Sequence, residues 1–429
     1  MTRSETTALQ APAAAAEHPL SEDAHLIHTP TDAFRLSDVP RWTRLLLAAI
    51  SQIDIGGIRL RLPKGQQVYV VGSQDGPWGE IHLHNDKPAR QLLVRGDLAF
   101  AESFMDGDFD TPSLPDLLTV AAINQAVFDR NMMDLKGWRR VLMRVLHRLR
   151  DNTRSGSRRN ITAHYDLGNS FYARWLDSSM TYSSALYEQP DDDLVTAQGR
   201  KYSALAQMVE LRPEHRLLEI GAGWGGFAEF AAREIGCNIT GITISPAQRD
   251  FAARRIQEAG LSEKVEIRLC DYRDVDGQFD RIASIEMFEA VGEKYWPIYF
   301  QRLRERLVPG GIAGLQVITI ADQAFAAYRR STDFIQRYIF PGGMLPSPEA
   351  LAEQFDRAGL RLVAERAFGQ DYARTLAEWR ERFLTVADDI ASEGYDARFR
   401  RMWEYYLAYC EAGFRSDTID VRQMAIART

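Results

Sequence analysis

Hydrophobic and polar residues alternate with different periods along the chain. From about 40 to 125, short runs of alternating residues are separated by turn residues, as in GGIRLRLPKGQQVYVVGSQDGPWGEIHLHN, and helical-looking segments follow at DLAFAESFMDGDFD and SLPDLLTVAAI. From about 160 onward, apolar strands such as 216–220 and 239–242 alternate with helical stretches. This second pattern is typical of an α/β domain with a doubly wound parallel sheet.

These changes of pattern predict four segments. Residues 1–35 are rich in Ala and Pro and poor in aromatic residues, which predicts a disordered N-terminal tail. Residues 36–127 predict a small α+β domain, and residues 128–160 a basic amphipathic linker. Residues 161–429 predict the Rossmann-like α/β domain.

The linker concentrates positive charge. Between Lys136 and Arg159 there are nine Lys and Arg residues against one acidic residue, and apolar residues recur at helical spacing through its first part. A basic amphipathic helix is typical of a segment that lies on an anionic membrane surface. A solvated helix that packs on its own protein fits the same pattern about equally well.

Composition excludes several classes of protein. The 429 residues carry a net charge of −7, so the whole chain is not a basic nucleic-acid binder. Cys237, Cys270 and Cys410 lie far apart without CxxC spacing, which argues against disulfides and a metal site and fits a reducing cytoplasm. No apolar run approaches the ~20 residues of a membrane span, and no signal-peptide pattern opens the sequence. We therefore expect a cytoplasmic protein that is soluble or peripheral on a membrane.

The sharpest local motif is LLEIGAGWGGFAEFAARE. A strand ends there, and Gly221, Gly223 and Gly225 form a tight turn into a helix, which is where ligands bind in an open α/β sheet. Glu219, just before the loop, suits a cationic amino group and would repel a pyrophosphate. The second strand ends GITISPAQ without the ribose-binding acid of a dinucleotide enzyme. The loop therefore favours a methyltransferase cofactor over a dinucleotide.

Seven motifs in order give the chain a family resemblance. They are NITAHYDLGNSFYARWLDSSMTYSSALYE, LLEIGAGWGG, TGITISPAQ, DYRDVDGQFDRIASIEMFEAVG, DFIQRYIFPGGMLPS, DYARTLAEWRERF and YYLAYCEAGFR. Together they resemble the cyclopropane-fatty-acyl-phospholipid synthases, a family that includes the mycolic acid cyclopropane synthases. The resemblance implies S-adenosylmethionine as cofactor. The implied cofactor-binding positions are Tyr182, Ser183, Gly221 to Gly225, Thr243, Gln248, Tyr272 and Arg273.

The resemblance also implies a base for the proton that must leave after methyl transfer. The family is thought to hold a bicarbonate with a Cys, a Glu, a His and a Tyr, and Glu289 and Tyr372 match two of these positions. Ser184 stands at the Cys position, Gln316 at the His position, and Glu286 where members commonly carry Gly. A bound anion would be repelled by the added carboxylate, so bicarbonate is doubtful here.

Glu286 itself is the simpler candidate for the base. Its pKa would then be raised by burial and by Glu289, with one proton shared between them. The alternative is that Glu286 points away and pairs with Arg or Lys. Cys410 matches a position once regarded as a nucleophile in the family, but no step of the chemistry needs a thiolate, so we expect a structural role.

The sequence thus predicts a methyltransferase that adds a one-carbon unit to double bonds of unsaturated phospholipid acyl chains. The product is a cyclopropane or a methyl- or methylene-branched chain. We expect the protein to bind the inner face of an anionic phospholipid membrane and not to bind nucleic acid. Whether it forms a homodimer is left open. The rivals are a methyltransferase for a soluble small molecule or nucleic acid, and a non-catalytic lipid-binding protein.

Overall fold

The structure is a computed structural model that describes residues 24–128 and 167–429. The chain divides into two units, Met1–Trp138 and Arg139–Thr429. Apart from residue 128, the predicted basic linker lies outside the described residues, as do residues 1–23. No helix of the described ranges is long and apolar enough to cross a membrane.

The N-terminal unit is an α+β domain, as its alternating pattern predicts. Its strands are β1 (His25–Ile27), β2 (Ile55–Arg61), β3 (Gln67–Val71), β4 (Gln74–Leu83) and β5 (Phe109–Asp110), and its helices α1 (Pro30–Arg35), α2 (Arg41–Ile50), α3 (Lys87–Arg95), α4 (Asp97–Met105) and α5 (Leu114–Ile123). The strands form one sheet in the order β1-β3-β2-β4-β5. Strand residues such as Leu60, Val68 and Ile81 are buried in the core of this unit.

The predicted disordered tail extends too far along the chain. Strand β1 pairs in parallel with β3, and helix α1 begins at a capping box in which the side chains of Thr29 and Asp32 satisfy each other's backbone N–H groups. Ile27 and Ala33 are buried. Residues 24–35 are therefore part of the domain. The capping box of α1 and the two buried apolar residues outweigh the composition that predicted disorder.

The C-terminal unit alternates strands and helices. Its strands are β6 (Arg216–Ile220), β7 (Asn238–Thr243), β8 (Val265–Leu269), β9 (Phe279–Ile285), β10 (Leu307–Ile320), β11 (Leu360–Ala367) and β12 (Ile419–Arg428). Its helices are α6 (Gly168–Ala173), α7 (Leu194–Met208), α8 (Gly226–Phe230), α9 (Pro246–Glu258), α10 (Trp296–Arg306), α11 (Asp322–Tyr328), α12 (Pro348–Ala358), α13 (Gly369–Thr385), α14 (Ala387–Ser392) and α15 (Ala397–Arg415). Short 3-10 or π turns occupy Ala231–Ile235, Tyr272–Asp274, Phe288–Ala290, Glu293–Tyr295 and Ile335–Ile339.

All seven strands form one sheet in the order β11-β12-β10-β9-β6-β7-β8. Strands β10, β9, β6, β7 and β8 are parallel, which confirms the doubly wound prediction, whereas β12 runs antiparallel to β10 and β11. The chain winds outward from β6 through β7 and β8 and then returns to β9 on the other side of β6. The carboxyl end of β6 is therefore the topological switch point, where such sheets bind ligands.

An aromatic cluster joins three helices of the C-terminal unit, α6, α13 and α15. Phe171, Trp175, Trp379 and Trp403 are fully or almost fully buried, and their rings meet mostly edge to face. Edge-to-face contacts of this kind hold α6, α13 and α15 together. Trp379 also lies 5.4 Å from the ring of Tyr182, so the cluster reaches a predicted cofactor residue.

Candidate active site

The glycine turn after β6 leaves open space for a ligand. Gly221, Gly223 and Gly225 all have positive φ values, +85°, +53° and +83°, which side chains rarely adopt. A Cβ on Gly221 would meet the Met287 side chain at 2.7 Å, whereas a Cβ on Gly223 would meet nothing within 4 Å. The turn thus packs against the segment that carries Glu286 on one side and faces open space on the other.

Glu219 lies below this turn in a buried position. Burial raises the pKa of Glu219 to about 8, and its Oε2 has no hydrogen-bond partner among the described residues. A buried acceptor without a partner is costly unless something donates to it. The open space at Gly223 and this free acceptor both fit the amino-acid end of S-adenosylmethionine.

Tyr182 and Ser183 lie in the loop between α6 and α7. The Tyr182 hydroxyl lies 2.6 Å from that of Tyr406, and Ser183 Oγ accepts a hydrogen bond from Lys201 Nζ at 2.6 Å. Burial lowers the pKa of Lys201 to about 7, so its charge changes near neutral pH. These contacts fix both predicted residues in place.

The remaining predicted cofactor residues follow β7 and β8. Thr243 Oγ1 donates to Gln248 Oε1 at 2.9 Å. Arg273 forms two hydrogen bonds with Asp271, at 2.8 and 2.6 Å, so its charge is already paired. The half-buried Tyr272 ring packs edge to face on Tyr299. Strands β6, β7 and β8 thus present their predicted residues at adjacent carboxyl ends of the sheet.

Glu286 follows β9 directly and has an unusual backbone conformation. Its φ is +48°, the left-handed region that costs a non-glycine residue roughly 1 kcal/mol. Its N–H donates to Gln316 O at 2.8 Å, which prolongs the pairing of β9 with β10. A strained residue at the end of a central strand is typical of a functional site.

Three donors converge on the Glu286 carboxylate. Oε1 accepts from the backbone N–H of Ser184 at 2.8 Å and from Gln316 Nε2 at 2.7 Å, and Oε2 accepts from the Tyr372 hydroxyl at 2.5 Å. Glu286 therefore does not point away to pair with Arg or Lys, which was the alternative that the sequence left open. Ser184, Gln316 and Tyr372 stand at three of the four positions that the resemblance assigns to a bound anion, and here they contact the carboxylate of Glu286.

Burial governs the protonation of this carboxylate. It raises the pKa of Glu286, while the Tyr372 hydrogen bond, the nearby Lys201 and the Gln316 hydrogen bond lower it. Burial also raises the pKa of Tyr372 well above its usual value, so its hydroxyl keeps its proton as a donor. A carboxylate whose pKa is raised is a stronger base than one in water.

Glu289 has its own environment, one short turn further on. Its Oε1 accepts from the Ile318 N–H at 2.6 Å, and its Oε2 has no partner among the described residues. Burial and the charge of Glu286 raise the pKa of Glu289 to about 8. Within the described residues no hydrogen bond joins the two carboxyl groups. Their coupling acts through charge, which keeps Glu289 protonated near neutral pH.

Cys410 lies on α15. Burial, then the charges of Asp333 and Glu286, raise the pKa of its thiol far above the usual value. A thiol in such surroundings stays protonated and is a poor nucleophile.

Sequence reasoning missed two fully buried polar residues, Lys201 and Gln423. Lys201 falls on the buried face of α7 with Ala197 and Leu205, each one four residues away. Gln423 lies on the same face of β12 as the buried Val421 and Ala425, which are two residues before and after it. A polar residue at a core position of a regular element was the signal that could have found both.

Among the described residues, no group of His, Cys, Asp and Glu is arranged to hold a metal ion.

Replacing Gly223 with Val should abolish binding of S-adenosylmethionine, because the side chain would fill the open space beside the turn. Isothermal titration calorimetry measures this directly. Gly260→Val is the matched control, since Gly260 also has a positive φ and open space around its Cβ but lies beyond α9. Micromolar binding by a folded Gly223→Val protein would contradict the prediction.

Replacing Cys410 with Ala should leave kcat within about threefold of wild type, because a protonated thiol contributes no nucleophile. The measurement is steady-state turnover, with thermal melting as a check on folding. A loss of ~10²-fold or more in a folded variant would indicate that the thiol takes part in the reaction.

Solved structures share the architecture of the C-terminal unit. The cyclopropane synthase MmaA2 from Mycobacterium tuberculosis superposes with a TM-score of 0.59 at 29% identity, covering 63% of this chain and 98% of that one. The mycolic acid cyclopropane synthase CmaA1, in complex with SAH and CTAB, gives a TM-score of 0.59 at 28% identity over 63% and 98%. SAH is the demethylated form of S-adenosylmethionine.

Curated relatives extend the likeness into the N-terminal unit. The tuberculostearic acid methyltransferase UfaA1 of Mycobacterium tuberculosis is 40% identical over 367 residues, which are 83% of this chain and 85% of the relative. The cyclopropane-fatty-acyl-phospholipid synthase of Escherichia coli K12 is 35% identical over 359 residues, 81% of this chain and 88% of the relative.

The family model described as mycolic acid cyclopropane synthetase matches residues 152–424, more than half of the chain. The match includes every predicted site residue, from the loop before α7 to Cys410 on α15. With the relatives and structures above, it shows that this chain is an S-adenosylmethionine-dependent methyltransferase of the mycolic acid cyclopropane synthetase family.

Proposed function

We propose that this enzyme transfers a one-carbon unit to the double bond of unsaturated acyl chains in membrane phospholipids, with Glu286 as the base. The observation that carries the proposal is the convergence of Ser184, Gln316 and Tyr372 on the Glu286 carboxylate. Acyl-chain substrates are supported by the names of the two curated relatives, one a tuberculostearic acid methyltransferase and one a fatty-acyl-phospholipid synthase.

Geometry supports methyl transfer next to the base. The cofactor, when bound, supplies an electrophilic methyl group. The glycine turn that would hold it packs against Met287, the residue after Glu286, which supports a cofactor site next to the carboxylate. One alkene carbon would form a bond to that methyl group as the methyl–sulfur bond breaks and its electron pair goes to sulfur, which would leave a carbocation at the other alkene carbon. The buried rings of Tyr372 and Trp379 lie 6.1 Å apart beside the carboxylate and can stabilise that charge.

Glu286 then takes a proton from the cation. If a C–H bond of the new methyl breaks, its electron pair closes a cyclopropane ring. If a C–H bond on a neighbouring carbon breaks, the chain becomes methyl-branched and keeps a double bond. The position of the carboxylate relative to the cation selects between these products, and mass spectrometry of lipids from cells that produce the enzyme distinguishes them.

Replacing Glu286 with Gln should lower turnover by about 10²- to 10⁴-fold, because the amide keeps the shape but cannot accept the proton. The assay uses unsaturated phospholipid vesicles in carbonate-free buffer, with and without added bicarbonate. The matched control is Glu293→Gln. Glu293 lies seven residues after Glu286 and forms an ion pair with Arg329, so this variant should keep wild-type turnover. A wild type that requires bicarbonate, beside an active Gln variant, would show that a bound anion is the base.

With Glu286 as the base, turnover should depend on pH in one direction. Burial raises the pKa of Glu286 above the ordinary 4.5 of a Glu carboxyl, and only the ionised form accepts a proton. Turnover should therefore be lost as pH falls through a value above 4.5 and should be fully present above it. The residual activity of Glu286→Gln should not show this loss of turnover at low pH.

The proposal places the enzyme on the inner face of an anionic membrane through residues 136–159, which lie outside the described residues. Nine basic residues against one acidic residue support this placement. Attraction between such a segment and anionic headgroups weakens as salt screens the charges.

Reversing Arg139, Arg140, Arg144 and Arg148 to Glu should release the enzyme from anionic vesicles in a sedimentation assay. Lys at the same four positions keeps the charge and should preserve binding. Unchanged sedimentation of the Glu variant would mean that the segment is a solvated linker.

A further inference from the structure

Two glutamines lie side by side behind the Glu286 carboxylate. Gln316 on β10 and Gln423 on β12 are directly opposite each other in the antiparallel pair, and both side chains are fully buried. Buried amides are costly unless their polar atoms find partners. Two of them in register, at fully buried positions of adjacent strands, indicate a role beyond packing.

The two amides form a chain of hydrogen bonds that ends at Glu286. Gln423 Nε2 donates to the backbone carbonyl of Lys201 at 3.0 Å and to Gln316 Oε1 at 3.0 Å. Gln316 Nε2 donates to Glu286 Oε1 at 2.7 Å and to the backbone carbonyl of Ser184 at 3.4 Å. All four N–H bonds of the two amides therefore have acceptors.

Backbone carbonyls fix the direction of this chain. An amide has nearly the same shape when its oxygen and nitrogen exchange places, so only its partners decide the orientation. A carbonyl oxygen can only accept, and Lys201 therefore requires the NH₂ group of Gln423 to face it. The same NH₂ group then requires the oxygen of Gln316 to face Gln423. Gln316 is left with its N–H bonds directed at Glu286.

We propose that Gln423 is a positioning residue that keeps the Gln316 amide turned toward Glu286, so that Oε1 holds the negative charge and Oε2 accepts the proton. Oε1 already has two donors, Gln316 and the Ser184 N–H, and a proton there would clash with both. Oε2 has one partner, the Tyr372 hydroxyl, which can rotate and accept instead of donating. The inference rests on the proposed role of Glu286 as base.

The charged and titratable groups around Glu286 are the same with and without Gln423. Lys201 faces it from α7, Tyr372 from α13, Cys410 from α15, and Glu289 from its own segment. If Gln316 stops donating, the ionised form of Glu286 loses a hydrogen bond, and the pKa of the carboxyl rises further. The base is then protonated at pH values where the wild-type base is ionised.

The test replaces Gln423 with Met, which has a similar length and no charge but cannot donate. Turnover at pH 7 should fall about 10- to 100-fold, the value of a hydrogen bond to a charged group. The acid limb of kcat should move to higher pH and activity should return as pH rises. Calorimetry should show wild-type binding of S-adenosylmethionine. Gln354→Met, at another buried glutamine on α12, is the control and should leave the pH profile unchanged.

A second variant and a second readout keep the test decisive. Gln423→Leu also donates to neither neighbour and adds no charge, and it serves if the Met variant does not fold. Infrared titration of the protonated Glu286 carboxyl, assigned by its loss in Glu286→Gln, follows the base without turnover. A carboxyl that titrates at higher pH in the Gln423 variants supports the inference. An unchanged infrared titration, or a lower kcat with an unchanged pH profile, overturns it.

The outcomes separate this inference from the proposed function. Wild-type turnover by Glu286→Gln would remove Glu286 as the base, whereas the infrared titration would still report whether Gln423 controls its charge. An inactive Glu286→Gln beside Gln423 variants with a wild-type profile would overturn the positioning role alone.

Discussion

The site depends on one constraint, which is that a buried carboxylate must have donors on both oxygens. Glu286 meets it with groups from the loop before α7, from β10 and from α13, which lie between 30 and 102 residues away in the chain. Each isolated hydrogen bond to a charged group is worth about 1.5–3 kcal/mol. The three bonds hold together, around one charge, elements that the chain forms far apart.

Backbone strain at this residue has a specific compensation. A left-handed conformation suits Gly, which the resemblance expects here, and costs a Glu side chain roughly 1 kcal/mol. The strain is smaller than the contribution of the hydrogen bonds that the side chain forms. The same conformation keeps the Glu286 N–H on Gln316 O, so the turn after β9 is held by main chain and side chain together.

Sequence patterns predicted the parallel sheet and the glycine turn because both follow from local periodicity and glycine conformation. They also identified Glu286, since an added carboxylate in a motif is visible without coordinates. The contribution of Ser184 comes from its main chain, which the sequence does not reveal. Its backbone N–H binds Glu286, while its hydroxyl donates to the carbonyl of Ala185. Gln423 could not be placed, because its partner Lys201 is 222 residues away and only the register of β12 brings them together.

A carboxylate that belongs to the chain differs physically from a bound anion in the same cage. It is present in every molecule, whereas an anion occupies its site only in proportion to its concentration and affinity. Its basicity is set by burial and by fixed donors, so the protein controls it through residues such as Gln316 and Tyr372. A second carboxyl in the same cavity would oppose this charge unless it were neutral. Burial raises the pKa of Glu289 to about 8, and a neutral Glu289 lets the ionised Glu286 exist beside it. The two carboxyl groups therefore have different surroundings, because three donors surround Glu286 and a single backbone N–H reaches Glu289.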